Sequence, residues 1–458
     1  MKISKIILAA FSAFLVSALS ISCASSPKSE PYYDNNINDF SYAKLSNGIN
    51  VVFKKNVGSK IAVARMLIEG GVPFISPEKS GLEDITLQLM LHGSKNYPYA
   101  DLQKLSYDKS FSIGASSGKD FSAVALVCIK RDIEETLGIF ADNILNPLFL
   151  EKDFEQQMTD EKASVHRTLA SPESLLSLSI AKNVYKNHQY ASFTSATEES
   201  LKNIKLDDVK NLHKELLNSK RISFVIVGNF SSDEQSKITS ILDKYFGSLQ
   251  EKPYARPEIS DLTCNGENVY ISNEQAGEIG YIAGIFKCPE RTSEEYVPFA
   301  ITEMYLDDIL FAEVREKHSA LYSVGCGIIG GRKLLGAISL YKVTEKENIK
   351  KIVYDALNSF PKTEAEIEEK LDNYKNKYIT SLFSSSQNSS GIASNISSSL
   401  IYRDSATQYL HRSAEVQAVT AKQILAVYKK YFSQEGENPN HIRWIILSGK
   451  DSVNQFKF

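Results

Sequence analysis

The sequence predicts an α+β protein of two tandem homologous domains, each a mainly antiparallel sheet with helices packed on one face. Three observations in its 458 residues carry that prediction. Apolar runs of strand length alternate with longer blocks of helical periodicity. An ordered set of landmarks recurs after roughly 210 residues, a period far too long for a solenoid and suited to a duplicated domain. Each copy closes on a strongly apolar strand that follows a helix rich in Leu, Lys and Tyr.

In the first copy, Asn50 to Phe53 and Ile61 to Ile68 read as strands, and Pro77 to Leu91 as a helix. Ser112-Ile113-Gly114-Ala115 precedes a strand from Phe121 to Cys128 and a helix from Asp132 to Leu145. Glu151 to Tyr185 is helical, with a break near Ser171-Pro172 because proline cannot donate to the preceding turn. A helix from Leu206 to Leu217 and a strand from Ile222 to Gly228 complete the copy. The boundary falls in 251–267, which holds Pro253 and Pro257 and lacks periodicity, so the domains span 41–250 and 268–458.

The second copy has Ser323-Val324-Gly325-Cys326, a strand from Leu335 to Tyr341 and a helix from Lys346 to Leu357. It ends with a helix from Ala421 to Phe432 and a strand from Ile442 to Gly449. Ser381 to Ser399 is rich in serine, yet Leu382, Ile392 and Ile396 recur near helical spacing, so a small-residue helix is expected.

Composition narrows the function classes. A chain that is 43% hydrophobic and 23% charged is globular rather than disordered. A net charge of -3 offers no basic excess for nucleic acid. Lys2 and Lys5, the apolar stretch from Ile6 to Leu19 and the small residues after it read as a bacterial export signal over residues 1–22. Leu19-Ser20-Ile21-Ser22-Cys23 resembles a relaxed lipobox, which implies acylation of Cys23 and a polar tether over 23–40; a plain signal peptide is the alternative. The expected location is the cell envelope or periplasm. Cys128, Cys264, Cys288 and Cys326 form no CxxC pair, which excludes zinc-ribbon and thioredoxin-like motifs and leaves disulfide pairing open. No G-x-S-x-G, P-loop or G-x-G-x-x-G occurs.

Several segments together resemble the insulinase/pitrilysin family of zinc metallopeptidases. They are Leu45-Ser46-Asn47-Gly48-Ile49 as an opening strand, an apolar strand ending Glu69-Gly70-Gly71, and the helix from Gly81 to Gly93. Val314-Arg315-Glu316-Lys317 through Leu321-Tyr322-Ser323-Val324, and Ala418-Val419-Thr420, continue the match in the second half. The resemblance implies a two-domain chain like those of the mitochondrial processing peptidase.

Active members carry H-x-x-E-H on the first long helix, two zinc-binding histidines flanking a general base. Here those positions are Asp84, Leu87 and Gln88. The distal Glu ligand, roughly 75–80 residues further on in the family, maps near Ser164 and Val165, with Glu161 about one turn short. No two of the seven histidines lie within five residues, so no two-histidine helical motif exists elsewhere. Asp84, Gln88 and His92 share a helical face, which the pattern assigns to the exposed side of an amphipathic helix. No metal is expected in this chain.

Arg315 and Tyr322 keep the spacing of the Arg–Tyr pair that, in relatives, holds substrate and stabilises the oxyanion. Without the resemblance, a surface ion pair and a packed ring would explain them. Gly114, Ala115, Ser116 and Ser117 match the edge strand on which relatives align extended peptides. Three readings follow. The chain is the non-zinc subunit of a two-chain peptidase, with zinc in an H-x-x-E-H partner; or an inactive peptide-binding or scaffolding protein of the envelope; or, least favoured, a single-chain peptidase with an atypical metal site.

Overall fold

The apolar runs form two sheets whose strands alternate their side chains between two different cores. A computed structural model describes residues 36–435 and 439–458. The leader, Cys23 and most of the proposed tether lie outside the described residues.

The first half contains β1 (Phe40–Lys44), β2 (Asn50–Lys55), β3 (Ile61–Glu69), α1 (Leu82–Met90), α2 (Tyr99–Lys109), β4 (Ser112–Ser116) and β5 (Phe121–Ile129). It continues with α3 (Ile133–Leu145), α4 (Glu151–Ala170), α5 (Pro172–Val184), α6 (Ser200–Asn203), α7 (Leu206–Leu216), β6 (Ile222–Gly228) and α8 (Ser232–Phe246). The second half contains β7 (Val269–Ser272), β8 (Gly280–Phe286), α9 (Tyr296–Leu310), β9 (Ser323–Gly330), β10 (Leu334–Val343) and α10 (Ile349–Asn358). Helices α11 (Glu364–Ser385), α12 (Ser389–Arg403), α13 (Arg412–Gln417) and α14 (Ala421–Tyr431) precede the last strand, β11 (Arg443–Ser448). No described helix is long and apolar enough to cross a membrane.

The first sheet has the order β1-β2-β6-β3-β5-β4 and the second β7-β11-β8-β10-β9. Only β2·β6 and β11·β7 are parallel; every other pairing is antiparallel. The second order repeats the first without an equivalent of β1. Val269 and Gly280 open β7 and β8 as Asn50 and Ile61 open β2 and β3, 219 residues earlier in both cases.

Each sheet buries both faces. Val51, Phe53, Ala64 and Met66 point into a core with Ile85, Leu87, Leu137 and Phe140. The alternate residues Val52, Val63, Leu67 and Val225 pack on Ala393 and Ile396 of α12, a helix from the other half. In exchange, Leu176 and Val184 of α5 lie against Tyr281, Ala283, Ile445 and Leu447 of the second sheet. The expectation of helices on one face is thus met by each half's own helices, and the other face is covered by a helix lent across the molecule. This exchange explains the serines of α12. Small side chains let the helix lie close on the sheet, and Ser389 and Ser394 accept hydrogen bonds from Asn56 (3.1 Å) and Arg65 (3.0 Å). The Ser-rich region is two helices rather than one. Asn388 caps the second by accepting from the Gly391 amide at 2.9 Å.

Two other expectations change. Leu45 to Ile49 is not a strand but the turn joining β1 to β2. Asn47 anchors this turn by donating to the Phe246 and Leu249 carbonyls. The helix expected from Pro77 begins at Leu82, after a short 3-10 turn over Pro77–Lys79.

Candidate functional site

Helix α1 starts at Gly81, which adopts φ 83° where a Cβ would sit 2.4 Å from the Ala196 nitrogen. Only glycine fits that entry, and it fixes which way α1 presents its side chains. Leu87 is fully buried in the first core. Asp84 accepts from the Ser117 hydroxyl at 2.9 Å, and the Gln88 amide donates a long bond of 3.5 Å to the Ala115 carbonyl. Asp84, Gln88 and His92 are therefore half-buried rather than an exposed face. His92 stacks on Tyr99. The opposite side is not free either: Glu83 is 5% exposed, accepts from Ser122 at 2.5 Å, and has its pKa raised by desolvation.

Glu161 on α4 also belongs here. Burial raises its pKa, and the negative charge of Asp84 adds to the rise. The distal position maps near Ser164 and Val165; Glu161, about one helical turn earlier, accepts from the Gln157 amide at 2.9 Å and is near enough to Asp84 to feel its charge. The donor set is then two carboxylates, one amide already used by Ala115, and an aliphatic side chain. That set does not fit zinc, which takes three or four N, S or O ligands. Among the described residues no group of three or more His, Cys, Asp or Glu is arranged to hold a metal.

Strand β4 pairs with β5 on one side, and its other edge is open. Ser112, Gly114 and Ser116 are exposed, and a Cβ on Gly114 would meet nothing within 4 Å. Ala115 lies in β4, and Ser117 just beyond it. The zinc-helix positions Asp84 and Gln88 thus brace the edge strand.

In the second half, α9 runs into a π-helical segment over Phe311–Lys317. This wider turn places the Arg315 guanidinium 4.7 Å from the Phe311 ring and 5.5 Å from the Tyr322 ring. Lys342 approaches the Tyr322 ring at 5.2 Å. Tyr322 is 64% exposed, and its amide donates to the Tyr341 carbonyl at 3.2 Å. The surface ion pair that would make Arg315 structural is absent among the described residues. The two groups, Asp84 with Gln88 and Arg315 with Tyr322, sit on different sheets and share no described hydrogen bond or ring contact.

The repeat uncovers residues that motif reading missed. A step of 219 residues, read from the β2–β7 and β3–β8 pairs, carries Asp84 and Gln88 onto Glu303 and Asp307 of α9. The equivalence extends to bonding: as Gln88 reaches edge strand β4, Asp307 accepts from the Cys326 amide of edge strand β9 at 2.5 Å. Glu303 Oε1 is buried without a hydrogen-bond partner, and desolvation, with the neighbouring Asp307 charge, pushes its pKa up to about 8. Cys326 is shifted well up by burial and by the Glu303 and Asp307 charges. All four described cysteines are free.

Comparison with known proteins matches this arrangement. The family model for insulinase (peptidase family M16) covers residues 50–198, and that for the peptidase M16 inactive domain covers 203–378. The chain is 24% identical over 219 residues to the mitochondrial-processing peptidase subunit alpha-1 of Dictyostelium discoideum, an alignment covering 47% of this chain and 33% of that protein. It is 21% identical over 230 residues to the non-peptidase homolog YmxG of Helicobacter pylori, covering 50% and 52%. The chain thus spans a third to a half of these two relatives. The solved peptidase M16 inactive domain from Pseudomonas fluorescens superposes with a TM-score of 0.77 at 17% identity, over 90% of this chain and 98% of that one. A protease from Helicobacter pylori gives 0.75 at 17% identity, over 89% and 99%. With both sheets, the repeat and α1 on the page, the chain belongs to the M16 insulinase family, as a member in which Asp84, Leu87 and Gln88 stand at the zinc-motif positions.

Proposed function

We propose that this chain is the non-zinc subunit of a two-chain M16 peptidase and lends substrate-binding and oxyanion-stabilising groups to a partner with an intact H-x-x-E-H helix. The observation that carries the proposal is the Arg315–Tyr322 stack. The guanidinium is free of any described carboxylate and is held between two rings, Phe311 and Tyr322. An always-charged fork fixed in this way is suited to a developing negative charge. The open edge of β4 supplies the surface on which an extended peptide would add as a further strand.

Reconstitution with an H-x-x-E-H family member tests the reading. Turnover of an unstructured peptide should require both chains, and Arg315→Ala should lower kcat about 10²–10³-fold while assembly is retained. Wild-type turnover in that variant would reject it. A second reading, an inactive peptide-binding scaffold, is favoured by the way Asp84 and Gln88 now brace β4. It predicts peptide binding by the isolated chain and no gain in a partner's turnover.

The proposal extends to location: export, with lipid anchoring at Cys23 in the envelope. Cys23→Ala should release the protein into the soluble envelope fraction or arrest its maturation, read by fractionation. Unchanged membrane association would remove Cys23 as the anchor.

A further inference from the structure

Away from both groups above, three arginines converge at the second half's junction with α12. Arg291 lies in the segment after β8, Arg403 ends α12 and Arg412 opens α13. All three line a cavity of about 190 Å³ and an adjoining one of about 350 Å³. We propose that the smaller cavity binds a phosphate group, as orthophosphate or as a phosphomonoester whose organic part extends into the larger one.

Charge balance is the first support. The smaller cavity is lined by the three guanidiniums, tyrosines, serines such as Ser386 and Ser398, Asn395 and Leu382, and by no carboxylate. The larger one adds Glu415 and the exposed Glu294. Glu415 pairs with Arg412 at 3.2 Å and more distantly with Arg403 at 3.9 Å, and it also accepts from Gln408 at 3.4 Å. The side chains of Arg403 and Arg412 are only 16% and 12% exposed. Half-buried guanidiniums outnumbering the acids that face them are costly without a counter-charge, and a phosphate carries about 1.5 to 2 negative charges at pH 7 as a monoester and somewhat fewer as orthophosphate.

Preorganisation is the second. The Arg291 guanidinium lies 4.8 Å from the Tyr402 ring, and that of Arg412 lies 5.2 Å from the Tyr296 ring. Arg291 Nε donates to the Gly331 carbonyl at 3.1 Å, its Nη1 donates to Tyr296 at 3.3 Å, and Arg403 Nη2 donates to the Arg291 carbonyl at 2.9 Å. Each guanidinium has five N–H donors, so several remain for a ligand after these bonds. Planar forks held by rings suit bidentate phosphate recognition.

The test titrates the full mature chain with sodium phosphate against sodium chloride at matched ionic strength, by calorimetry and thermal unfolding. Saturable heat and a rise in Tm are expected with phosphate, since a ligand that binds only the folded state stabilises it. Arg412→Gln should weaken binding about tenfold or more. Arg412→Lys keeps the charge but loses the fork, and should recover binding only in part. Glycerol phosphate separates the sources: tighter binding than orthophosphate places the organic part in the larger cavity, and equal binding assigns the site to phosphate alone. Absence of saturable binding in the wild type, equal binding in Arg412→Gln, or an equal response to acetate would overturn the proposal. The wild-type titration decides the matter even if a variant does not fold.

Discussion

The Tyr190 hydroxyl donates to the Asp120 carboxylate at 2.5 Å in the seam between the two halves. The Arg332 amide, at the tip of the β9–β10 hairpin, donates to both groups at 2.9 Å. Asp120 is 3% exposed and Tyr190 fully buried. A Cβ at Gly331 would lie 2.1 Å from Asp120 Oδ2, so glycine is required for the hairpin to enter. Tyr190→Phe should cost about 1.5–3 kcal/mol, because it removes a donor from a buried carboxylate. Gly331→Ala should cost more, because the carboxylate itself must move. Urea unfolding checks both; stability equal to wild type would mean the seam does not depend on this latch.

The isolated chain should take up no stoichiometric zinc when assayed by elemental analysis after metal loading. The reason is the donor set of α1, in which Leu87 sits in the core and Gln88 is engaged with Ala115. Restoring the base alone should fail. Leu87→Glu would bury an unpaired carboxylate and should lower stability by about 3 kcal/mol or more. A stable Leu87→Glu protein with one bound zinc would contradict this.

Arg315→Ala and Tyr322→Phe should leave the isolated chain folded, with stability within about 1 kcal/mol of wild type. An exposed cation–π stack contributes roughly 0.5–1 kcal/mol, and Phe keeps the ring. A larger loss in thermal unfolding would assign the pair to the fold rather than to chemistry.

Glu303 should impose a pH dependence on stability. Its folded pKa is raised to about 8, so the folded state holds this proton where the unfolded state has released it. The contribution is present below about pH 4.5 and is lost as pH rises toward 8. Glu303→Gln should remove that slope and make the protein relatively more stable at pH 8 by up to about 4 kcal/mol. Parallel Tm curves for wild type and variant between pH 5 and 8 would show that the carboxyl does not titrate in this range.

Local pattern reaches as far as a segment's own contacts. Ile222 to Gly228 was readable to the residue because a strand buried on both faces is apolar along nearly its whole length, here all but Ser223. The break between α4 and α5 was readable because Pro172 cannot donate to the preceding turn. The repeat gave the two sheets, and the loss of histidines on α1 was plain from residue types alone. Only the tertiary structure decided what those segments touch. Helical spacing marked Ile392 and Ile396 as buried but could not say that they cover the first sheet from the second half. The same spacing placed Asp84 and Gln88 on an exposed face, whereas β4, some 30 residues on, closes over them through Ser117 and Ala115. Glu303 and the Tyr190–Asp120 latch remained hidden for one physical reason. Periodicity records how much of a side chain leaves water, while the identity of its partner depends on chain crossings that no local window contains.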